Sequence, residues 1–285
     1  MNEEYPFASN YFKVGKHRIH YIDQGQGPVV VLLHGNPTWS FFYRKVIRLL
    51  SGSHRVIAVD HLGCGRSDKP QKYNYTLENH INNLLALLDG LEISSYAMMV
   101  HDWGGAIGFG AGVKYPERLE KIVVLNTAAF RSKKIPFRIA VCKTPLLGEL
   151  LVRGLNGFAW PAAFMATAKK MPDEIKKQYI LPYDSWQNRI AIHRFVKDIP
   201  MHKGHISYQT LLNIEQGLGV IEQMKIPMQI IWGGRDFCFN DFFYDEWKRR
   251  FPAADCHYFA NAGHYVLEDE WDKIEPLLKN FFIHR

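Results

Sequence analysis

Residues Val29 to Leu33 read V-V-V-L-L, an apolar run with no polar residue inside it. A strand built from it has no wet face, so both sides must be covered, the habit of a parallel sheet sandwiched between helices. Five further runs repeat the pattern: Arg55–Val59, Tyr96–Val100, Lys121–Leu125, Met228–Trp232 and Cys256–Phe259. Helix-like stretches separate them, and the alternation predicts an α/β fold with a mostly parallel sheet. With 285 residues, 47% of them hydrophobic, the chain can bury such a core as one domain or one domain with an insertion.

The rhythm breaks after Phe130. From Arg131 to Gly217 the pattern is helical, rich in Pro and Gly, with no convincing strand run. The expected division is therefore a core of residues 1–130 and 218–285 with a helical cap of residues 131–217. The apolar stretch Gly154–Ala168 contains Pro161 and is too short to cross a bilayer, so it is read as a buried helix and no membrane span is expected. The N-terminal M-N-E-E-Y-P-F lacks the basic-then-apolar build of a secretory leader. Cys64, Cys142, Cys238 and Cys256 are scattered and form no C-x-x-C pair, which points to a reducing, cytoplasmic setting. The thirteen histidines include no H-E-x-x-H pairing, so no metal or organic cofactor is expected. The formal charge is +7, yet Lys and Arg are spread along the chain without a basic block, favouring a solvated surface over a nucleic-acid partner.

The stretch V-H-D-W-G-G-A-I-G-F, Val100 to Phe109, places an aspartate where a buried strand ends and a glycine-rich helix begins. Strand, sharp turn and helix describe the nucleophile elbow of the α/β-hydrolase fold, with Asp102 where G-x-S-x-G has its serine and Val100 at the first glycine. Asp tolerates the positive φ of such a turn better than most residues. Asp236 ends W-G-G-R-D beyond the fifth run, and His264 lies in A-N-A-G-H-Y after the last. Three reactive groups at strand ends, in the order nucleophile, acid, histidine, predict a triad in which Asp236 orients His264. The turn His34-Gly35-Asn36-Pro37 follows the first run and would let the Asn36 backbone N–H join that of Trp103 as an oxyanion hole. A non-catalytic sensor on the same fold is the opposing reading, and the complete triad argues against it.

H-G-N-P-T-W-S-F-F-Y-R (34–44), D-H-L-G-C-G-R-S-D-K-P (60–70), H-D-W-G-G-A-I-G (101–108) and A-G-H-Y resemble the haloalkane dehalogenase branch of the α/β hydrolases. That resemblance implies that Trp103 N–H and the Asn36 side chain hold a departing anion. Segments of the cap and its flanks, N-T-A-A-F (126–130), P-F-R-I-A-V-C-K-T-P-L-L-G (136–148), R-G-L-N-G-F-A (153–159), P-Y-D-S-W-Q-N-R-I-A (182–191) and G-G-R-D-F-C-F (233–239), resemble more specifically the β-lactone decarboxylases of bacterial long-chain olefin biosynthesis. The resemblance implies conversion of a cis-3,4-dialkyl-2-oxetanone to a cis-alkene and CO2, a hydrophobic long-chain substrate, and association with other enzymes of olefin synthesis. The alternative it implies is a haloalkane dehalogenase hydrolysing alkyl halides to alcohol and halide.

A carboxylate is already ionised near neutral pH and suits electrophilic carbons with good leaving groups. A covalent Asp102 adduct is expected in either case, whether attack falls on the lactone carbonyl or on the ring carbon bearing oxygen. His264 is needed to activate water in hydrolysis, and in decarboxylation would orient groups or act as acid. An epoxide hydrolase is the third reading, with Tyr179, Tyr183 and Tyr208 available in the cap. Phe130, Trp160 and Trp186 are the candidate pocket residues, and Arg189 and Arg194 are read as ion-paired with Asp184 and Asp198.

Overall fold

Every apolar run identified above is a strand in the computed structural model, which describes residues 3–283. Met1 and Asn2, which begin the N-terminal stretch considered above, lie outside the described residues. Eight strands form one sheet: β1 (Asn10–Val14), β2 (His17–Gln24), β3 (Val29–Leu33), β4 (Arg55–Val59), β5 (Tyr96–Asp102), β6 (Leu119–Thr127), β7 (Met228–Gly233) and β8 (Asp255–Phe259). Their order is β1-β2-β4-β3-β5-β6-β7-β8. From β4 onward all neighbours are parallel, while β2 is antiparallel to both β1 and β4.

The continuous runs have the cause inferred for them. Val31 and Leu33 enter a core on one face of the sheet with Ile57, Met98 and Val124. Val30 and Leu32, their chain neighbours, enter a core on the other face with Val56, Met99 and Val123. Successive strand residues point to opposite faces, so a strand buried on both must be apolar throughout. Each such side chain contributes about 1.5–3 kcal/mol of burial.

The hairpin β1–β2 escaped the sequence reading because it lies at the sheet edge. Residues of β1 alternate between half-buried and exposed, and the strands join through Gly15, at φ 58, and Lys16. An alternating, charge-bearing pattern is that of a one-sided strand.

Helices α1 (Arg44–Leu50), α2 (Leu77–Gly90) and α3 (Trp103–Lys114) connect the strands up to β6. The insertion between β6 and β7 then carries α4 (Phe137–Cys142), α5 (Leu147–Glu149), α6 (Ala159–Met165), α7 (Asp173–Ile180), α8 (Ile190–Lys197) and α9 (Tyr208–Gln223), and among the described residues it contains no strand. Residue 217, the expected end of the cap, falls inside α9, where Gly217 lies against Val113 of α3. Helices α10 (Asp241–Arg250), α11 (Val266–Asp269) and α12 (Trp271–Phe282) complete the chain.

Gly154–Ala168 is not the single buried helix expected. It divides into the end of a π-turn, a loop and α6, and α6 presents Trp160 and Phe164 to solvent. The chain leaves β3 toward β4 on one side and returns to β5 on the other, so the ends of β3 and β5 flank a crevice, the place where open α/β sheets bind ligands.

Candidate active site

Asp102 closes β5 at φ 51 and ψ −125, and α3 starts at the next residue. Its elbow is tight. A Cβ on Gly104 would overlap the Leu33 carbonyl, one on Gly105 the Thr127 hydroxyl, and one on Gly35 the Asp102 side chain itself. Glycine is therefore required at all three positions by close approach. The carboxylate sits at the N-terminus of α3, where the helix dipole favours negative charge.

His264 and Asp236 reach the same point from loops beyond β8 and β7. His264 Nδ1 lies 2.7 Å from Asp236 Oδ2, and His264 Nε2 lies 3.8 Å from Asp102 Oδ2. Asp236 Oδ1 accepts from the Cys238 N–H at 2.7 Å, which fixes the carboxylate plane. The His264 carbonyl is bonded to His101 Nε2 at 2.9 Å. All three expected triad members are buried and come together.

The electrostatics follow from that burial. Loss of water raises the Asp102 pKa above the usual carboxylate range, partly offset by His264 and by the Asn36 and Trp103 N–H groups. Burial alone would depress the His264 pKa, but the carboxylates of Asp236 and Asp102 outweigh it and hold the imidazole above its ordinary value. Each charge therefore supports the other: an ionised Asp102 favours the imidazolium, and the imidazolium favours an ionised Asp102.

The expected oxyanion donors are present but engaged differently. The Asn36 N–H donates to Asp102 Oδ1 at 2.6 Å, and the Trp103 N–H also bonds the Asp102 carboxylate. The Asn36 donor thus holds Oδ1, the Trp103 donor supports the same carboxylate, and Oδ2 faces His264. The Asn36 amide Nδ2 donates to the Ile192 carbonyl of α8 at 3.2 Å, tying β3's loop to the insertion, and its second hydrogen is left for a ligand.

Above Asp102 stands a cavity of about 620 Å³, within the range of small-molecule sites. Asn36, Asp102, Trp103 and His264 lie at its polar end, and the remaining walls are mostly apolar side chains from α4, α6, the loop after α8 and the loop after β7. Phe130 lines it, as expected. Trp160 and Trp186 do not. Helix α6 places Pro161, Ala162 and, at the exposed mouth, Met165 along the cavity, leaving Trp160 55% exposed and tilted against Phe164. Trp186 is 40% exposed, beneath the Arg153 guanidinium. Sequence reasoning missed Tyr265, Cys238 and Phe239, which line the cavity; their signal was adjacency to the triad in G-H-Y and R-D-F-C-F.

The three candidate tyrosines are already occupied. Tyr179 donates to Glu268 at 2.5 Å and Tyr183 to the Thr38 carbonyl at 2.9 Å, while Tyr208 accepts from Arg131 at 2.9 Å. None is among the cavity-lining residues, which disfavours the epoxide hydrolase reading. The expected cap ion pairs are replaced as well. Arg189 donates to the Tyr183 and Arg153 carbonyls, and Asp198 accepts from Ser207 and the Leu77 N–H, with burial raising its pKa to about 6.

The chain resembles known proteins along most of its length. The profile of the alpha/beta hydrolase fold matches residues 28–270. The chain is 42% identical over 283 residues to a cis-3-alkyl-4-alkyloxetan-2-one decarboxylase of Shewanella oneidensis, covering 97% of this chain and 88% of that one. A protein of the same name from Xanthomonas campestris is 37% identical over 274 residues, covering 92% and 91%. Haloalkane dehalogenase 2 of Mycobacterium tuberculosis is more distant, at 30% over 274 residues, covering 95% and 93%. Among solved structures, a haloalkane dehalogenase from Bradyrhizobium elkani superposes with a TM-score of 0.87 at 22% identity, covering 95% of this chain and 96% of that one, a likeness of fold.

Proposed function

This chain belongs to the α/β-hydrolase family, and from that membership and its decarboxylase relatives we propose how its cavity converts cis-3,4-dialkyl-2-oxetanones to cis-alkenes and CO2. The enzyme is a carboxy-lyase. The observation that carries the mechanism is the division of the Asp102 carboxylate: Oδ1 held by the Asn36 N–H, Oδ2 turned toward His264, with the Trp103 N–H on the same carboxylate, beneath an apolar cavity.

Asp102 Oδ2 attacks the ring carbon that bears oxygen, from the face opposite the C–O bond. That bond breaks, its electron pair goes to the ring oxygen, and a free carboxylate is left on the neighbouring carbon. The new ester oxygen then lies anti to this carboxylate. The carbon–carbon bond to the carboxylate breaks, its electrons form the alkene, and the ester C–O bond returns its pair to Asp102. CO2 leaves, Asp102 is regenerated, and no water is consumed. Inversion followed by anti elimination keeps both alkyl groups on one side, so a cis lactone gives a cis alkene.

The His264 imidazolium, held by Asp236, steadies the carboxylate each time Asp102 becomes anionic. Trp103 and Asn36 line the cavity, and their indole N–H and second amide hydrogen are the donors for the charge released on the opened ring. The helices of 131–217 act as a cap whose apolar wall receives the alkyl chains. Four free cysteines fit a cytoplasmic enzyme, and among the described residues no helix is long and apolar enough to cross a membrane.

The test is incubation with a long-chain cis-β-lactone in oxygen-18 water, and separately with 1-bromobutane. Alkene and CO2 without labelled hydroxy acid or alcohol support the lyase. Brisk bromide release with labelled alcohol, and no alkene from the lactone, would make the protein a dehalogenase.

A further inference from the structure

The net charge of +7 has an address. Residues 131–170 contain eight of the 35 Lys and Arg residues and one of the 28 Asp and Glu residues, leaving 27 of each sign elsewhere. The cations are spread along the chain, as the sequence reading has it; the anions are missing from this stretch. Its one acid, Glu149, is paired with Arg153, while Arg131 and Lys169 pair with Glu215 and Glu270. Lys133, Lys134, Arg138 and Lys170 form no ion pair among the described residues.

The same stretch exposes large apolar side chains. Phe137 at the start of α4 is 81% exposed, and Leu146 is 85% exposed. Leu146 sits at φ 59 and ψ −57, with the Leu147 N–H bonded to the Pro145 carbonyl at 2.6 Å. That is a strained γ-turn, uncommon for a non-glycine residue. It holds Leu146 outward, with Leu147 and Leu150 in the turn of helix that follows also exposed. Trp160 and Phe164 of α6 face solvent beside Met165, which Arg138 Nη1 touches at 3.4 Å.

The cavity opens here. Lys134, Phe137, Arg138 and Met165 are exposed and at the same time line it. We infer that the α4–α6 face of the cap docks on an anionic lipid surface, its leucines and aromatics entering the headgroup boundary and its lysines pairing with lipid phosphates, so that the cavity mouth opens toward the bilayer. Exposed apolar side chains ringed by Lys and Arg are the signature of interfacial binding, and each cation near an anionic surface adds to it. An acidic protein would satisfy the charge, but lying over the mouth it would close the cavity. A bilayer leaves the mouth in contact with the phase that dissolves a two-chain substrate. The docking rests on charge and exposure; only its purpose, loading a lipid-soluble lactone, rests on the proposed function.

The test is co-sedimentation of the full chain, without substrate, with phosphatidylcholine vesicles and with vesicles in which about a third of the lipid is phosphatidylglycerol. Two double variants avoid the cavity lining: Lys133→Glu with Lys170→Glu, and Leu146→Ser with Leu147→Ser. Wild type should pellet with the anionic vesicles alone, less so as salt rises. The charge variant should partition about thirtyfold more weakly or worse, and the leucine variant should remain in solution. Both should turn over a short, water-soluble β-lactone as wild type does, which excludes misfolding. Wild type that stays in the supernatant with both vesicles overturns the inference, as does pelleting that neither variant weakens, or capture by an acidic protein without vesicle binding. Intact pelleting in a protein that leaves lactones untouched would instead fail the functional reading and spare this one.

Discussion

Replacing Asp102 with Asn separates the charge and nucleophile of the site from its shape. Asparagine tolerates φ 51 as aspartate does, and its amide oxygen can keep the 2.6 Å bond from the Asn36 N–H. What disappears is the anionic Oδ2, 3.8 Å from His264 Nε2. At that separation an effective dielectric of about 20 gives an attraction of about 4 kcal/mol. Its loss lowers the His264 pKa, because the carboxylate at 102 is one of the two that hold it up. Asp236, 2.7 Å from Nδ1, remains to limit the fall. Turnover of a long-chain lactone should drop at least about 10⁴-fold, as for other removed nucleophiles. The assays are alkene release by gas chromatography, and NMR titration of the His264 ring assigned by difference from a His264→Gln variant. An Asp102→Asn protein that retains lactone turnover within about tenfold of wild type refutes covalent catalysis. A His264 titration that does not move refutes the electrostatic coupling.

Two further outcomes follow from the same geometry. Burial raises the Asp102 pKa, so activity should fall as pH drops through a limb above the usual carboxylate range. The raised His264 pKa makes the sign of the other limb diagnostic: a lyase using the imidazolium loses rate as pH rises through it, whereas a hydrolase using neutral His264 as base gains. A pH–rate profile with short lactone distinguishes them. Ala162→Trp places a large ring in the apolar wall, and should cut turnover of long-chain lactones by about tenfold or more while sparing the shortest. Equal losses across a chain-length series would show that this wall does not receive the alkyl groups.

Much of the scaffold and the chemical end of the site was legible from residues alone, for a local reason. A parallel strand buried on both faces must be apolar at every position, so V-V-V-L-L and its counterparts announced themselves. The elbow at Asp102 and the glycines around it meet steric demands set within a few ångströms, and chain order then linked Asp102, Asp236 and His264. The hairpin β1–β2 carried no comparable signal, because β1, at the sheet edge, alternates exposed and half-buried residues and β2 mixes charged and polar residues with its apolar ones. The cavity wall was beyond reach for another reason. Whether α6 turns Trp160 or Met165 inward depends on its rotation against α4 and α7, and a short amphipathic helix reads alike under either choice. Nor could residue types reveal that the Asn36 and Trp103 N–H groups hold Asp102 itself, since that depends on where β3 and β5 end relative to each other. Residue identity decided which groups could react and which strands could be buried; the packing of separate segments alone decided which way those groups face and what shape of molecule they meet.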